Sequence, residues 1–235
     1  MTKAVFIPGL LCTDALFAGH REGLSGILDI AIGDHRQDYT VSSIARRVLD
    51  QAPNEFICAG LSMGGYTSFE IMRQAPERVK ALILMNTSAR ADTPEQTERR
   101  NGLMEIAKIQ GLDAVTEALL PVFLGHTNLG REDLTACVRE MVRETGLDTF
   151  LNQQTALMSR VDSRESLGAI SVPTLVVVGD GDTLTPPKLA QEIAEGIPGA
   201  QLVIVENCGH LSSLEQPEVV NDAIRSFLSE AGITA

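Results

Sequence analysis

One serine stands among three glycines at the point where an apolar run gives way to a helical pattern. The stretch FICAGLSMGG places Ser62 after Gly60 and before Gly64 and Gly65. A sharp strand-to-helix turn strains its central residue and requires neighbours that lack a Cβ atom. Such a turn projects the serine Oγ above a sheet, so the pattern predicts a nucleophile on a tight elbow. An ordinary tight turn is the alternative interpretation.

A serine hydroxyl needs a general base, and the chain has four histidines. His210 follows an apolar run in VIVENCGHLSSLEQPE, and a helical pattern begins shortly after it, near Pro217. Because the carboxyl ends of parallel strands share one rim of a sheet, His210 is predicted to face Ser62 and to act as the base. The other histidines are expected to be structural: His20, His35 and His126.

The base in turn needs an acid that orients it, and the stretch TLVVVGDGDTLTPP offers two. Asp182 is preferred over Asp180, because a residue further along the loop can reach a histidine at the neighbouring strand end. Asp180 lies beside glycine, as is typical of a turn. The remaining ligand positions of a calcium loop are missing, so no metal site is predicted from the DGD string.

An ester carbonyl that is attacked by a serine becomes an oxyanion, which two converging N–H groups must stabilise. Met63 directly follows the serine and supplies one predicted donor. Gly9 in IPGLLC lets the chain turn back over the sheet, and the N–H group of Leu10 is the second predicted donor. A plain turn at Pro8-Gly9 is the alternative for this stretch.

The elements that must position these residues are predicted from the hydrophobic pattern, in which short apolar runs typical of strands alternate with stripes at helical spacing. VKALILM and TLVVV have no polar face, as expected for strands buried on both sides of a parallel sheet. Helical stripes separate the strands, so the chain is predicted to form a doubly wound α/β fold with a mainly parallel sheet. No nucleotide-binding glycine motif follows any strand. About six strands are predicted, at 4–7, 27–32, 56–59, 79–85, 174–178 and 202–205.

Residues 91–170 break this alternation, because they carry helical patterns and no convincing strand. The sequence therefore predicts an α/β core of residues 1–90 and 171–235 with a helical insertion at 91–170. The insertion leaves the carboxyl end of a strand, where it can cover a site. A purely structural subdomain is the alternative. Arg90, Arg99 and Arg100 at its start are interpreted as a solvated charged face rather than a carboxylate site.

Composition limits the classes of partner. The formal net charge of −12 argues against binding to nucleic acid and to anionic membranes. No stretch approaches the roughly 18 apolar residues of a membrane helix, and the first residues lack a signal-peptide pattern, so we expect a cytoplasmic protein. Four cysteines without a C-x-x-C pair predict neither zinc nor disulfides. Cys12 and Cys208 flank the predicted site and are expected to react with thiol reagents that block the cleft.

Four stretches together resemble the α/β-hydrolase superfamily, in its branch of small serine esterases and related hydrolases. They are IPGLLCTDALF, CAGLSMGGYTSFEI, VVVGDGDTLTPP and NCGHLSSLEQPEVV, in the right order along the whole chain. The resemblance implies Ser62 as nucleophile, Asp182 as acid, His210 as base, and Leu10 and Met63 as oxyanion donors. It also implies that residues 91–170 form a cap domain that shapes the acyl and alcohol pockets.

The chain departs from that family in two places. Pro8-Gly9 stands where the family often has His-Gly, so a hydrogen bond from that histidine is excluded. The antiparallel hairpin that usually precedes the first strand is expected to be absent, and we expect about six parallel strands and one sheet edge that is less covered than usual. A dimer partner would close that edge, and both a monomer and a homodimer stay open.

The resemblance implies hydrolysis of small-molecule carboxylic esters with small to medium acyl groups in an apolar pocket, without a metal or organic cofactor. The same triad serves lactonases, carbon–carbon hydrolases, acyltransferases and perhydrolases. Ser62 excludes dehalogenase and epoxide-hydrolase chemistry, which needs aspartate at the elbow. A ligand receptor of the same fold with little turnover and a catalytically inactive partner-binding protein also stay open.

Overall fold

The chain folds around one parallel sheet of six strands. A computed structural model describes residues 1–233, and its strands are β1 (Thr2–Ile7), β2 (Leu28–Ile32), β3 (Phe56–Leu61), β4 (Val79–Met85), β5 (Thr174–Gly179) and β6 (Gln201–Val205). Their order across the sheet is β2-β1-β3-β4-β5-β6, and each neighbouring pair is parallel. Each strand overlaps one predicted apolar run, so the predicted fold class is confirmed.

Ten α-helices accompany the sheet within residues 1–233. They are α1 (Ala18–Gly23), α2 (Val41–Gln51), α3 (Met63–Gln74), α4 (Pro94–Gln110), α5 (Leu112–Phe123), α6 (Glu132–Thr145), α7 (Leu147–Met158), α8 (Pro187–Gly196), α9 (Ser212–Glu215) and α10 (Pro217–Glu230). None of the helices in this range combines the length and the apolar character that a membrane crossing requires.

The two faces of the sheet are covered by different helices because side chains alternate along each strand. Phe6 of β1 packs in one apolar cluster with Ile224 of α10. Its neighbour Ile7 points to the other face and packs with Ile44 of α2 and Phe69 of α3. Every residue of β3 and β5 is buried, which explains why their sequences lack a polar face.

Four helices, α4 to α7, fill the interval between β4 and β5. The first of them begins at a capping box, in which Thr93 and Gln96 each bond the other's backbone N–H. Val115 of α5 and Phe150 of α7 belong to the same apolar cluster as Phe6 of the sheet. The helical insertion therefore shares a continuous core with the sheet, while its role as a separate cap domain stays a prediction.

Strand register brings the predicted site residues to one rim. Ile7 at the end of β1 pairs with Gly60, and Leu61 at the end of β3 pairs with Met85. The ends of β5 and β6 are likewise paired, through Gly179 and Val205. The loops that follow these strands thus begin side by side, as the rule for open α/β sheets requires.

Candidate active site

The elbow after β3 reverses the chain at a single residue. Ser62 has φ 55° and ψ −111°, a conformation that residues other than glycine rarely adopt. Its N–H group donates to Met85 O at 2.9 Å, and its carbonyl accepts from Gly65 N at 2.9 Å. Backbone strain of this kind persists only where the surroundings fix it, and it clusters at functional sites.

All three predicted elbow glycines lie where a side chain has no room. A Cβ atom at Gly60 would collide with the carbonyl of Gly64, and one at Gly64 would collide with the carbonyl of Ile7. At Gly65 it would collide with the side chain of Thr87. The glycines therefore let the first turn of α3 pack directly against the ends of β1, β3 and β4.

His210 and Asp182 form a buried pair in the loops after β6 and β5. His210 Nδ1 lies 2.8 Å from Asp182 Oδ2, and both side chains are almost fully buried. Asp180 instead accepts a hydrogen bond from Cys208 N at 3.1 Å, which links the loop after β5 to the loop after β6. Of the two candidate acids, the one further along the loop is the one in contact with the histidine.

Asp182 is surrounded by donors. Its Oδ1 accepts from Leu184 N and Thr185 N, both at 2.9 Å, and its Oδ2 accepts from Thr185 Oγ1 at 2.7 Å and Asn86 Nδ2 at 2.9 Å. Burial alone would raise the pKa of Asp182. The charge of His210 and the hydrogen bonds from His210, Asn86 and Thr185 outweigh it, so the pKa lies below its ordinary value.

Asn86 is a site residue that the sequence analysis missed. It follows β4 with φ 46°, and its Nδ2 donates both to Asp182 Oδ2 and to Gly209 O at 3.0 Å. Its Oδ1 accepts from Ser212 Oγ at 2.5 Å. The available signal was its position, because it is a polar residue directly after an apolar strand whose carboxyl end lies on the same rim.

The loop that carries the histidine is fastened to the helical insertion. His210 N and Leu211 N both donate to Phe123 O at the end of α5, at 3.1 and 3.0 Å. The Phe123 ring lies nearly parallel to the imidazole, with 6.2 Å between ring centroids. Glu215, which is buried, accepts from Gly125 N at 2.8 Å. The insertion thus fixes the height of the imidazole above the sheet.

The two predicted oxyanion donors belong to the residue that follows Ser62 and to the loop after β1. Met63 is the first residue of α3, so its N–H group has no intrahelical partner. Leu10 follows β1, and a Cβ atom at the preceding Gly9 would lie 3.3 Å from Ser62 Cβ. Among residues 1–233, neither the N–H group of Leu10 nor that of Met63 donates to a protein acceptor.

A glutamine of α7 holds the loop after β1. Gln153 Oε1 accepts from Leu11 N at 3.0 Å, and Leu11 has φ 58°. This bond occupies the N–H group next to that of Leu10 and fixes the turn between them. The sequence analysis missed Gln153 too, because 142 positions separate it from its partner.

A cavity of about 410 Å³ opens over this rim and is lined by both Ser62 and His210. Leu103, Leu119 and Leu157, from α4, α5 and α7, supply apolar wall. Within residues 1–233, no hydrogen bond joins the serine hydroxyl to the imidazole. Catalytic hydrogen bonds often tighten only when substrate is bound. The space is large enough for a small-molecule ligand.

The cavity also has a cationic side. Arg90, Arg99, Arg100, Arg160 and Lys188 line it, and no aspartate or glutamate is among its described lining residues. The interpretation of the first three arginines as a solvated face is therefore incomplete, because all three border the cavity. Only the fold reveals this, since it brings together side chains from either end of the insertion and from α8.

The remaining histidines lie outside the cavity. His20 is buried, and its Nδ1 lies 2.5 Å from Asn221 Oδ1. His35 is buried and contacts two backbone carbonyls. Burial lowers the pKa of both imidazoles to about 4. His126 is exposed in a 3₁₀ turn.

The two cysteines near the site differ in position. Cys12 is buried and lines the cavity, and burial raises the pKa of its thiol to about 12. Cys208 is buried as well, with its pKa raised by burial, but it does not line the cavity. Thiols are reactive as thiolates, so neither has the environment of a reactive cysteine. In the part of the chain that the structure describes, no three His, Cys, Asp or Glu side chains are grouped to hold a metal ion.

Comparisons with known proteins agree with this architecture. The family model described as alpha/beta hydrolase fold matches residues 10–217. A protein of Azorhizobium caulinodans provisionally named carbamate hydrolase RutD is 33% identical over 202 residues, which cover 81% of this chain and 74% of that protein. Pimeloyl-[acyl-carrier protein] methyl ester esterase of Hamiltonella defensa is 29% identical over 196 residues, covering 81% and 76%.

Among solved structures, a thermophilic esterase from Thermogutta terrifontis with malate bound superposes with a TM-score of 0.90. It is 26% identical, and the match covers 98% of this chain and 90% of that one. The family match spans most of the sequence and includes the elbow, the aspartate loop and the histidine loop. The chain belongs to the α/β hydrolase fold family.

Proposed function

We propose that this protein is a serine hydrolase that cleaves carboxylic esters through Ser62, His210 and Asp182. The observation that carries the proposal is the buried 2.8 Å hydrogen bond between His210 and Asp182, beside a cavity that a strained serine elbow also lines. Relatives named as esterases support the choice of ester. No metal or organic cofactor enters this chemistry.

In the acylation half, His210 Nε2 takes the proton of Ser62 Oγ as the oxygen attacks the ester carbonyl. The carbonyl electrons move onto oxygen, and the N–H groups of Leu10 and Met63 donate to the resulting oxyanion. The partial positive charge at the start of α3 favours the same negative charge. Removing one such donor typically costs about 10²- to 10³-fold in kcat.

The tetrahedral adduct then collapses. The imidazolium of His210 gives its proton to the leaving alcohol, and the acyl group stays on Ser62 Oγ. Water is deprotonated by the same imidazole and attacks the acyl-enzyme, and the imidazolium then protonates Ser62 Oγ as the carboxylic acid leaves. The proton that Ser62 lost departs with the alcohol, a proton from water replaces it, and the enzyme ends unchanged.

Asp182 acts through the histidine. The lowered pKa of Asp182 keeps it ionised at neutral pH, so that it accepts from Nδ1–H and leaves Nε2 free as the base. It also stabilises the imidazolium that forms in each half. Asn86 and Thr185 hold the carboxylate in place, which makes them positioning residues in this proposal.

Residues 91–170 act as the cap in this proposal. Leucines of α4, α5 and α7 form apolar wall of the cavity, and its volume of about 410 Å³ suits small to medium acyl groups. A cytoplasmic location and a small-molecule substrate are parts of the same proposal. Other relatives are named as an enol-lactonase and, provisionally, a carbamate hydrolase, so lactones and carbamates are the competing substrates for the same triad.

The test is hydrolysis of p-nitrophenyl esters from acetate to decanoate by the wild type and by Ser62→Ala. We expect turnover by the wild type, a chain-length optimum that reports the acyl pocket, and a loss of at least about 10⁴-fold in kcat for the variant. A fluorophosphonate probe should label the wild type once. Labelling should vanish in Ser62→Ala and persist in Ser88→Ala, a serine that lines the same cavity but belongs to the loop after β4.

Other outcomes separate the alternatives. The folded wild type could hydrolyse none of the esters and instead open lactones or cleave aryl carbamates in a Ser62-dependent way. This outcome would contradict the assignment of esters as substrates and would still support the triad. Saturable ligand binding with negligible turnover would favour a receptor. Labelling of Ser88 in place of Ser62 would overturn the nucleophile itself.

A further inference from the structure

The charge of the cavity is opposite to that of the chain. The protein has a formal net charge of −12. The charged groups that line the cavity, however, are Arg90, Arg99, Arg100, Arg160 and Lys188, with no acidic side chain among the described lining residues. A cleft lined by one sign of charge concentrates ligands of the opposite sign.

Part of this positive charge is neutralised by carboxylates that do not line the cavity. Arg90 pairs with Glu192 at 2.7 Å. Arg100 Nε lies 2.6 Å from Asp92 Oδ2, and Arg160 Nη1 contacts the other oxygen of the same carboxylate. The Asp92 side chain is buried and does not line the cavity. Two guanidinium groups thus share one carboxylate, which leaves one positive charge in the wall.

Two further cations stand at the rim. Arg99 on α4 and Lys188 on α8 are exposed and line the cavity. Within residues 1–233, neither forms an ion pair with a carboxylate. The first belongs to the insertion and the second to the core, so both parts of the fold add positive charge to the cavity lining.

A buried donor points to the same ligand chemistry. Gln154 of α7 is fully buried and lines the cavity beside Arg100, whose Nη1 donates to Gln154 Oε1 at 3.0 Å. Gln154 Nε2 has no partner among the described residues. Buried amide groups are ordinarily hydrogen-bonded, so an unpartnered donor on a residue that lines the cavity is one that an acceptor on a ligand would satisfy.

This cluster lies close to the elbow. Arg160 stacks over the ring of Tyr66, with its Cζ atom 4.4 Å from the ring centroid. Tyr66 is one turn along α3 from the nucleophile, and its N–H group donates to Ser62 O at 3.3 Å. A ligand group held by Arg160 and Gln154 would therefore belong to the same molecule whose ester lies at the serine.

We infer that the cavity selects esters that carry a carboxylate, which is bound by Arg100, Arg160 and Gln154 and attracted by Arg99 and Lys188. The inference rests on the proposed ester hydrolysis. Guanidinium groups have no acceptor, and the oxygen of Gln154 already accepts from Arg100, so these three side chains have only donors left, whereas an ionised carboxylate supplies acceptors only. The single uncompensated charge of the buried cluster matches one monoanionic carboxylate.

The first experiment compares esters that differ only in charge. On the acyl side, mono-p-nitrophenyl adipate is compared with p-nitrophenyl hexanoate. On the alcohol side, 4-acetoxybenzoate is compared with its methyl ester. We expect kcat/KM to be about tenfold higher for the anionic member of at least one pair, through a lower KM, and this preference to shrink as salt is added.

The second experiment changes the protein. Gln154→Glu keeps an acceptor for Arg100 and replaces the cavity donor with a negative group of nearly the same shape. Its kcat/KM for the anionic ester should fall about tenfold relative to its kcat/KM for the neutral ester, measured on the same variant. The double variant Arg99→Gln/Lys188→Gln should also show a smaller ratio of kcat/KM for the anionic ester to kcat/KM for the neutral ester. Its control is Lys108→Gln/Arg139→Gln, which removes the same charge from exposed positions outside the cavity.

Equal kcat/KM values for charged and neutral esters would overturn this inference and leave the proposed function standing. Preference for a phosphonate-bearing ester over the carboxylate would overturn the carboxylate assignment. If no ester is hydrolysed, the proposed function fails, and binding decides the inference separately. Adipate alone should then raise the melting temperature of the wild type and not that of Gln154→Glu, and the absence of this difference would overturn the inference.

Discussion

At the carboxyl ends of the strands, the role of a side chain depends on what it contacts rather than on its residue type. Asp180 and Asp182 lie in one loop, but only Asp182 reaches His210, while Asp180 bonds the backbone of Cys208. The sequence allowed this choice because the distance that a loop residue can reach grows with its distance from the strand end. For Asn86 the sequence offered only its position directly after an apolar strand, and it did not identify the partner, which lies 96 positions away.

The two aspartates provide a matched test at this scale. Asp182→Asn should lower kcat by about 10⁴-fold with little change in KM, because the amide no longer fixes the imidazole tautomer. Asp180→Asn removes the same charge from the same loop and should leave kcat within about threefold. The measurement is steady-state hydrolysis of the preferred p-nitrophenyl ester. A larger loss in Asp180→Asn than in Asp182→Asn would reverse the assignment of the acid.

At the scale of elements, local sequence patterns were enough to predict the strands and the elbow. Strands buried on both faces were visible as apolar runs, and the packed glycines of the elbow were visible as GLSMGG. The contacts that α7 makes near the site were not visible in the sequence. Gln153 and Gln154 lie in a helix, and no neighbouring residue indicates which distant residues they contact. Their roles depend on where the insertion folds back, which periodicity does not encode.

The elbow predicts a contrast between two glycines. Gly64→Ala should destabilise the protein by several kcal/mol or prevent folding, because its Cβ would overlap the carbonyl of Ile7, a backbone atom that cannot move aside. Gly102→Ala, in the middle of α4 with open space around it, should raise the unfolding free energy by about 0.5–1 kcal/mol. Urea denaturation of the two variants measures both. Equal effects would contradict the packing that we describe for the elbow.

The fold keeps the imidazoles of His20 and His35 neutral in its interior. Burial lowers the pKa of His20 and of His35 to about 4, whereas a histidine in the unfolded chain titrates near 6.5. Between these values the unfolded chain binds protons that the folded chain does not. The free energy of unfolding therefore falls as pH falls from about 6.5 to 4. The lowered pKa of Asp182 acts in the same direction, but only below its ordinary value of 3.8.

The resulting prediction concerns stability rather than activity. Between pH 7.5 and pH 5 the unfolding free energy should fall by about 2 kcal/mol for each of the two histidines. Urea denaturation at a series of pH values measures this slope. His35→Gln should lose about half of the slope, whatever its stability at pH 7.5. A wild-type stability that stays level over this range would show that the imidazoles are not kept neutral by the fold.

The bonds from Phe123 to His210 and Leu211 have a consequence for how substrate arrives. If α5 moved outward as a rigid body, it would pull on the loop that carries the imidazole. His210 would then be displaced from Ser62 and Asp182 at the moment when substrate enters. Entry without movement of α5 leaves the base in place. Association should then be a single diffusive step, with an observed rate that rises linearly with substrate concentration and reaches no plateau set by a prior opening motion.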